Sequence, residues 1–351
     1  MAAVLNFGNF TFTDEQIRSV SELIFDDILN APELSQLCTI FPGIVTGKEI
    51  GFIGEGGLVG KTRQGCDPEP QNWNIATRKL KWEPKPWEIL IEQCFVDLET
   101  TAAVYSLKTG RDIADFTSSD YMTILLEVLS VAIKKFIIRL AWFNDTDAET
   151  VADGGVLTNG TDVEYFNILN GFWKQIKLQT TANSAQLISI TENAGANYAA
   201  QRIAPANIQN YLQKLVFNAP ILLRNRTNTV IACTQSFYDA YAMSLQGQAL
   251  ETMYANMVNG LKTLTYNGIP LIAMPIWDEI IQSYENTGVK LNYPNRALYM
   301  HKDFFAVGMD GTRSFDNIET WYNKDSRKVK TEVMGKTDAL ILNPALFAAA
   351  F

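Results

Sequence analysis

Along the chain, apolar residues recur every third or fourth position in some stretches and every second position in others, and the changes of period mark the elements. Thr13-Asp14-Glu15-Gln16 has the form of a capping box, and Ile17, Val20, Leu23, Ile24 and Ile28 follow at helical spacing. That predicts a first amphipathic helix to about Leu29. From residue 44 to about 86 the helical period disappears, and glycines at 47, 51, 54, 56, 57, 60 and 65 alternate with charges and short apolar pairs. This is the pattern of a long, exposed hairpin arm. Residues 87–98 are rich in β-formers and predict a strand. Ser118-Ser119-Asp120 offers an N-cap, after which Ile124, Leu125, Val128, Val131, Ala132, Lys135, Ile138 and Arg139 mark the turns of a long helix.

Residues 144–161 form a polar, Gly-rich connection, and 165–176 predict a shorter helix carrying Phe166, Leu169, Phe172 and Trp173. Pro205 sits where proline opens helices, and the helix it starts is expected to reach about Phe217. Beyond it, residues 228–233 predict a strand and 235–260 a helix. Residues 264–266 and 269–275 predict two strands split by Asn267-Gly268, a hairpin signal. Residues 297–300 and 304–309 are further strands, and 328–334 and 338–342 predict a closing pair. The class is mixed α+β. No repeat of solenoid length and no low-complexity linker interrupts the chain, so one interwoven unit is expected.

With 351 residues the chain is longer than one core usually serves, and packed subdomains are expected. Hydrophobic residues at 47% and charged residues at 19% are those of a folded chain. A net charge of −9 supplies no global attraction to nucleic acid, which argues against a sequence-reading DNA binder. Residues 1–12 contain no Lys or Arg and no sustained apolar run, so no export signal is read and synthesis in the cytoplasm is expected. The apolar stretch 122–143 is broken by Glu127, Lys134, Lys135 and Arg139, which excludes a membrane span on insertion cost. Cys38, Cys66, Cys94 and Cys233 lie far apart and form neither a metal pair nor a disulfide framework. Without a secretion signal, the glycosylation-type triplets at Asn9, Asn144, Asn159 and Asn225 carry no chemistry.

The motif closest to an enzyme's is Glu55-Gly-Gly-Leu-Val-Gly-Lys-Thr62, because a phosphate cradle needs a Gly-rich turn and Gly-Lys-Thr opening a helix. Glu55 replaces the first glycine with a carboxylate, and Arg-Gln-Gly-Cys-Asp-Pro-Glu-Pro after Thr62 does not continue as a helix. His301 is the single histidine, which excludes metal sites built on two and is read as a strand-edge or interface residue. Asp26-Asp27 and Asp97 with Glu99 are carboxylate pairs of the kind that line solvated faces. The aromatics are scattered through core-like segments and are not interleaved with cations as a stacking platform. No catalytic, cofactor or metal residue is assigned, and the chain reads as structural.

The order of features is a helical N-terminal arm, a Gly-rich extended arm, a strand, a long helix, then a mixed subdomain with a hairpin and a terminal strand pair. This resembles the major capsid proteins of tailed bacteriophages with the HK97-type fold. Leu264-Thr-Tyr-Asn-Gly-Ile-Pro-Leu-Ile-Ala-Met-Pro-Ile-Trp-Asp278 and Arg296-Ala-Leu-Tyr-Met-His-Lys-Asp-Phe-Phe-Ala-Val-Gly-Met-Asp310 are similar to that family's phrasing. The resemblance implies an N-arm at 1–45, an E-loop at 46–86 and a first part of the P-domain at 87–203 with its spine helix at about 120–142. It further implies an A-domain at 204–295 and a return to the P-domain with a C-terminal strand at 296–351.

On that resemblance the chain is a non-enzymatic subunit that assembles with itself into hexamers and pentamers of an icosahedral head around double-stranded DNA. No cofactor and no membrane is implied; portal, scaffold and decoration proteins are the further partners. The expected location is the virion capsid, assembled in the cytoplasm of a bacterial host. On the E-loop, Lys61, Arg63, Trp73 and Trp82 are the expected contacts between subunits. Some family members crosslink through a Lys and an Asn, but no partner for Lys61 is identifiable and crosslinking is not expected. An encapsulin-like compartment is the alternative within the fold, and a cytoplasmic nucleotide-using enzyme built on residues 55–62 is the alternative outside it. A tail or surface-attachment protein is a third reading. Saturating ATP or GTP is therefore expected to leave the melting temperature unchanged in a thermal-shift assay; a rise of several degrees revives the enzyme.

Overall fold

The computed structural model describes residues 31–53, 77–94, 100, 104, 107, 118–148, 162–245, 256–258, 261–310, 318–323 and 325–351. A one-turn helix α1 (Pro32–Ser35) leads into β1 (Thr39–Pro42), and β2 (Glu49–Ile53) pairs antiparallel with β3 (Thr77–Lys81). Next come β4 (Lys85–Cys94) and the long helix α2 (Ser118–Phe143). A 3-10 turn at Val163–Tyr165 precedes α3 (Phe172–Ala182), β5 (Leu187–Ile188), α4 (Pro205–Phe217) and α5 (Ile221–Arg224). Then follow β6 (Thr229–Cys233), α6 (Gln235–Leu245), β7 (Asn256–Val258), β8 (Leu261–Tyr266), β9 (Ile269–Ala273) and α7 (Pro275–Tyr284). The last strands are β10 (Ala297–His301), β11 (Phe305–Met309), β12 (Ile318–Asn323), β13 (Lys328–Ile341) and β14 (Ala348–Ala350).

Two larger sheets organise these elements. In the first, β13 is the axis: it pairs with β12 over Lys328–Val333, with β11 over Thr337–Ile341, and with β4 along ten positions. β1 adds to β11 in parallel. The second sheet has seven strands in the order β5-β14-β10-β6-β9-β8-β7. It is covered on both faces, which is why β10 is buried at all five positions and shows no alternation. Ala297, Tyr299, Ile231, Cys233 and Leu271 face α4 and α6; Leu298, Met300, Ala232 and Ile272 face the core shared with α2, α3, α7 and the first sheet. That shared core centres on Trp142 of α2. Its indole lies 4.7 Å from Trp277 of α7, 4.9 Å from Phe172 and 6.2 Å from Trp173 of α3, and 6.2 Å from Phe305 of β11.

The long helix, the helix opened by Pro205 and the hairpin at Asn267-Gly268 lie where the spacing predicts them. Asn267 and Gly268 have φ of 50° and 79°, both left-handed, the requirement of a tight I′-type hairpin turn. Other expectations are corrected. The helix expected over 165–176 begins only at Phe172, after Gly171, whose extended backbone (φ −68°, ψ 175°) lies so close to α2 that a Cβ would sit 2.9 Å from the Ala141 carbonyl oxygen. The helix expected over 235–260 has its last described residue at Leu245, and residues 256–258 are a strand whose Val258 pairs with Leu261. The two strands expected at 328–334 and 338–342 are one strand passing through Gly335. β10 and β14 belong to the seven-stranded sheet, and the chain crosses to the other sheet between His301 and Phe305. His301 ends a central strand and is buried, with its Nδ1 accepting from the Asp303 amide at 3.3 Å, so it is not an edge residue. The helix expected near residues 13–29 lies outside the described residues.

Asp278, in the first turn of α7, reaches across to the start of α6, where the Gln235 amide donates to its carboxylate at 2.7 Å. Burial pushes the Asp278 carboxyl up to about 6, against these amide hydrogen bonds. Its folded-state value lies above the unfolded one, so its contribution to stability is full below about pH 4 and is lost as the pH rises through about 6. Asp278→Asn keeps an acceptor without the charge. Relative to the parent chain it is expected to gain about 1–2 kcal/mol between pH 4 and pH 7, read from urea unfolding across that range; a pH-independent difference contradicts this.

Candidate functional site

The described residues hold no group of three His, Cys, Asp or Glu side chains placed to bind a metal. The thiols of Cys38 and Cys233 are buried in apolar surroundings that push both up, which makes them poor nucleophiles. Residues 55–62, Asp26-Asp27 and Asp97 with Glu99 lie outside the described residues. No described helix is long and apolar enough to cross a membrane. What the fold builds with care is mechanical: the root from which the β2–β3 hairpin leaves the first sheet.

The root is held at two indoles. Trp82 follows β3 and is buried; its amide donates to the Lys48 carbonyl at 3.1 Å, and its own carbonyl accepts from the Gly47 amide at 3.0 Å. Gly47 has φ of 82°, so the chain turns into β2 in a conformation other residues resist. The Trp82 ring lies flat against Gly308 of β11, where an added Cβ would stand 2.7 Å from the indole and 2.6 Å from Ile44. Beyond the indole, the Asp338 carboxylate accepts from the Glu83 amide at 2.8 Å and from its neighbour Ala339 at 2.8 Å. Along β2 and β3, exposed pairs Lys79–Glu49 at 3.2 Å and Lys81–Glu49 at 3.8 Å add little stability.

Trp87 on β4 is the second indole. Its Nε1 donates to Thr337 Oγ1 of β13 at 2.9 Å, and its ring meets Phe136 of α2 edge-on at 5.1 Å. The ring occupies the space a side chain at Gly335 would fill, so the glycine in β13 is there for close approach and does not break the strand. One residue therefore ties the strand leaving the hairpin both to the longest strand and to the long helix.

A buried ionic group stands behind this frame, ahead of β10. Arg296 is hydrogen-bonded to Glu285, both fully enclosed, and stacks over Phe143 and Trp173 at 5.3 Å from each. Burial pushes the Glu285 carboxyl up, with Arg296 and Lys177 opposing. Lys174 sits between Asp145 at 3.0 Å and Asp147 at 2.9 Å; burial lowers its ammonium, and the hydrogen bonds to the two carboxylates outweigh that and raise it. The Lys177 ammonium lies over the Tyr293 ring, and burial together with nearby Arg296 lowers it to about 8. Asn193 and Asn295 exchange side-chain and backbone hydrogen bonds of 2.8–3.0 Å beside them. This group clamps the loop before β10 to α3 and does no chemistry that geometry supports.

Of the four residues expected at subunit contacts, Lys61, Arg63 and Trp73 lie outside the described residues. Trp82 is 1% exposed, its ring enclosed within the chain. Sequence reading missed Trp87, Gly308 and Gly335. Their signal, glycines in otherwise β-forming runs opposite a tryptophan, is visible only once strand register is known.

Neither a protein-family model nor a curated protein matches the chain. Solved structures do. A chain of the satellite phage P4 procapsid aligns with a TM-score of 0.53 at 10% identity, over 94% of this chain and 98% of that one. A chain of Gordonia phage Cozz aligns at 0.53 and 12%, over 91% and 85%, and one from the capsid of a native GTA particle at 0.50 and 9%, over 91% and 89%. At these identities the likeness establishes the fold: the chain has the α+β architecture of HK97-type capsid proteins.

If Gly335 exists to admit the Trp87 ring, Gly335→Ala is expected to cost about 1–3 kcal/mol in the parent chain and little in a Trp87→Leu background. Urea unfolding of the four chains gives the coupling; an equal cost in both backgrounds removes the explanation.

Proposed function

We propose that this chain is the major capsid protein of a tailed bacteriophage, a non-enzymatic subunit that assembles with copies of itself into the shell of the head. The observation that carries the reading is the match, end to end, between its fold and that of a P4 procapsid chain. The rest of the molecule is consistent with a wall. Among the described residues are buried sheets and a long helix, and the β2–β3 hairpin is rooted on them by Trp82. An arm of this kind is costly to order alone and useful when it orders over a neighbour.

The finer reading is that subunits form hexamers and pentamers of an icosahedral shell enclosing double-stranded DNA. Heterologous contacts close into rings, and arms on a stiff body let one sequence meet neighbours at slightly different angles. Lys61, Arg63 and Trp73 remain the proposed contacts on the hairpin arm, while Trp82 is its anchor. The net charge of −9 suits a container that holds DNA without gripping it. The subunit is then a virion protein assembled in the bacterial cytoplasm, with portal, scaffold and decoration proteins as further partners. An encapsulin-like shell differs from this in its contents.

Negative-stain electron microscopy of the purified full chain, before and after concentration, is expected to show capsomers, curved sheets or closed shells. A uniform monomer at every concentration counts against the proposal. Particles isolated from an infected host are expected to carry nuclease-protected DNA; protein cargo in its place favours the compartment.

A further inference from the structure

Two surface regions of opposite charge carry groups with no ion-pair partner among the described residues, and each also exposes apolar side chains. The first is a groove of about 1010 Å³ at the end of the seven-stranded sheet where its interior strands β6 and β9 begin, lined among others by Arg224, Arg226 and Lys302. The Arg224 guanidinium lies 5.1 Å from the Phe217 ring and that of Arg226 4.8 Å from Phe304. Among the described residues, no carboxylate is in ion-pair distance of these three cations. Phe217 at the rim and Ile221 on α5 are 48% and 68% exposed, and arginine beside exposed aromatic and aliphatic surface is the composition of a protein contact.

The second region is the outer face of the first sheet. Thr320 and Thr331 meet at 3.2 Å on its inner face, so the register sets Glu319, Glu332 and Leu90 in one row on the outside, with Trp321 and Glu88 beside them. Glu319 and Glu332 stand directly opposite each other, and among the described residues no cation pairs with either, Lys328 and Lys330 of the same face being engaged by Glu92. Opposed like charges in a ladder are destabilising. Leu90, 61% exposed, stands in the same row.

We infer that these two regions are the two halves of one heterologous contact, in which the groove at Arg224 and Arg226 of one subunit receives the Glu319–Glu332 face of a second copy. The inference rests on the self-assembly proposed above and names the surfaces that perform it. A contact between unlike faces of identical chains propagates head to tail and closes as a ring where the rotation between copies divides a full turn, which a symmetric patch does not do. It also gives the opposed glutamates cations that no described residue of their own chain supplies, and charge pairing of this kind fixes register and rejects wrong partners.

The test is a charge swap in the full chain, read by sedimentation and electron microscopy. Arg224→Glu/Arg226→Glu and Glu319→Lys/Glu332→Lys are each expected to raise the concentration at which assembly begins by at least about tenfold. The chain carrying all four changes is expected to recover most of that loss. Circular dichroism melting checks that each variant folds; if the reversal at the arginines does not, Arg224→Gln/Arg226→Gln replaces it with the same direction expected. Parent chain that assembles while either reversal assembles equally well overturns the contact, as does a folded four-fold variant with no recovery. Variants that form normal shells but lose bound nucleic acid also overturn it and assign the groove to a polyanion. A parent chain that never assembles is a different failure: it removes the shell proposal, and this contact with it.

Discussion

The Trp142 indole stands where the long helix, α3, α7 and the first sheet meet, and the spacing of those elements is set by the rings packed around it. Aromatic rings are rigid and incompressible, so five of them in mutual contact admit few arrangements. The close approach of Gly171 to the last turn of α2 belongs to the same constraint, since it lets Phe172 and Trp173 start α3 directly against that ring cluster. Because one face of the seven-stranded sheet opens onto this core, the two sheets are coupled by packing and not merely by the connection through His301. The hairpin root then inherits a fixed base.

Against that packed centre, the buried ionic group before β10 plays a different part. Enclosing Arg296 with Glu285, and Lys174 with Asp145, carries a desolvation cost that the pairing at best offsets. Removing one partner would be far worse than never having had the pair, because an uncompensated charge would remain inside. Such a group makes one arrangement of the loop before β10 acceptable and penalises the rest. Its contribution is to uniqueness more than to depth of stability.

Much of this was legible in the sequence where the determinant is local. Pro205 and the spacing to Phe217 define α4, and Asn267-Gly268 defines a hairpin, because backbone preference and apolar period act over a few residues. Reading failed where the determinant lies across the fold. Gly335 looks like a strand end until Trp87 is known to lie opposite, and Gly171 is decisive only through the helix it touches, some thirty positions earlier in the chain. The assignment of β10 and β14 to the seven-stranded sheet depends on which strands they neighbour, which no periodicity encodes. The arm contacts were what the resemblance implied for the E-loop, and the order of elements does not say which tryptophan of an arm is buried at its root, as Trp82 is.

The ten-position pairing of β4 with β13 also has a mechanical meaning. A force applied along β4, from the side of the hairpin, runs parallel to the strands and stretches their hydrogen bonds together, in shear. Bonds loaded in parallel share the force, whereas bonds opened one after another each meet it alone. On the hairpin side β13 continues past Lys85 against β11, so the load passes on into the sheet that holds the root. A tug on the arm is thus spread over the body of the subunit and is not concentrated at the turn where the arm begins.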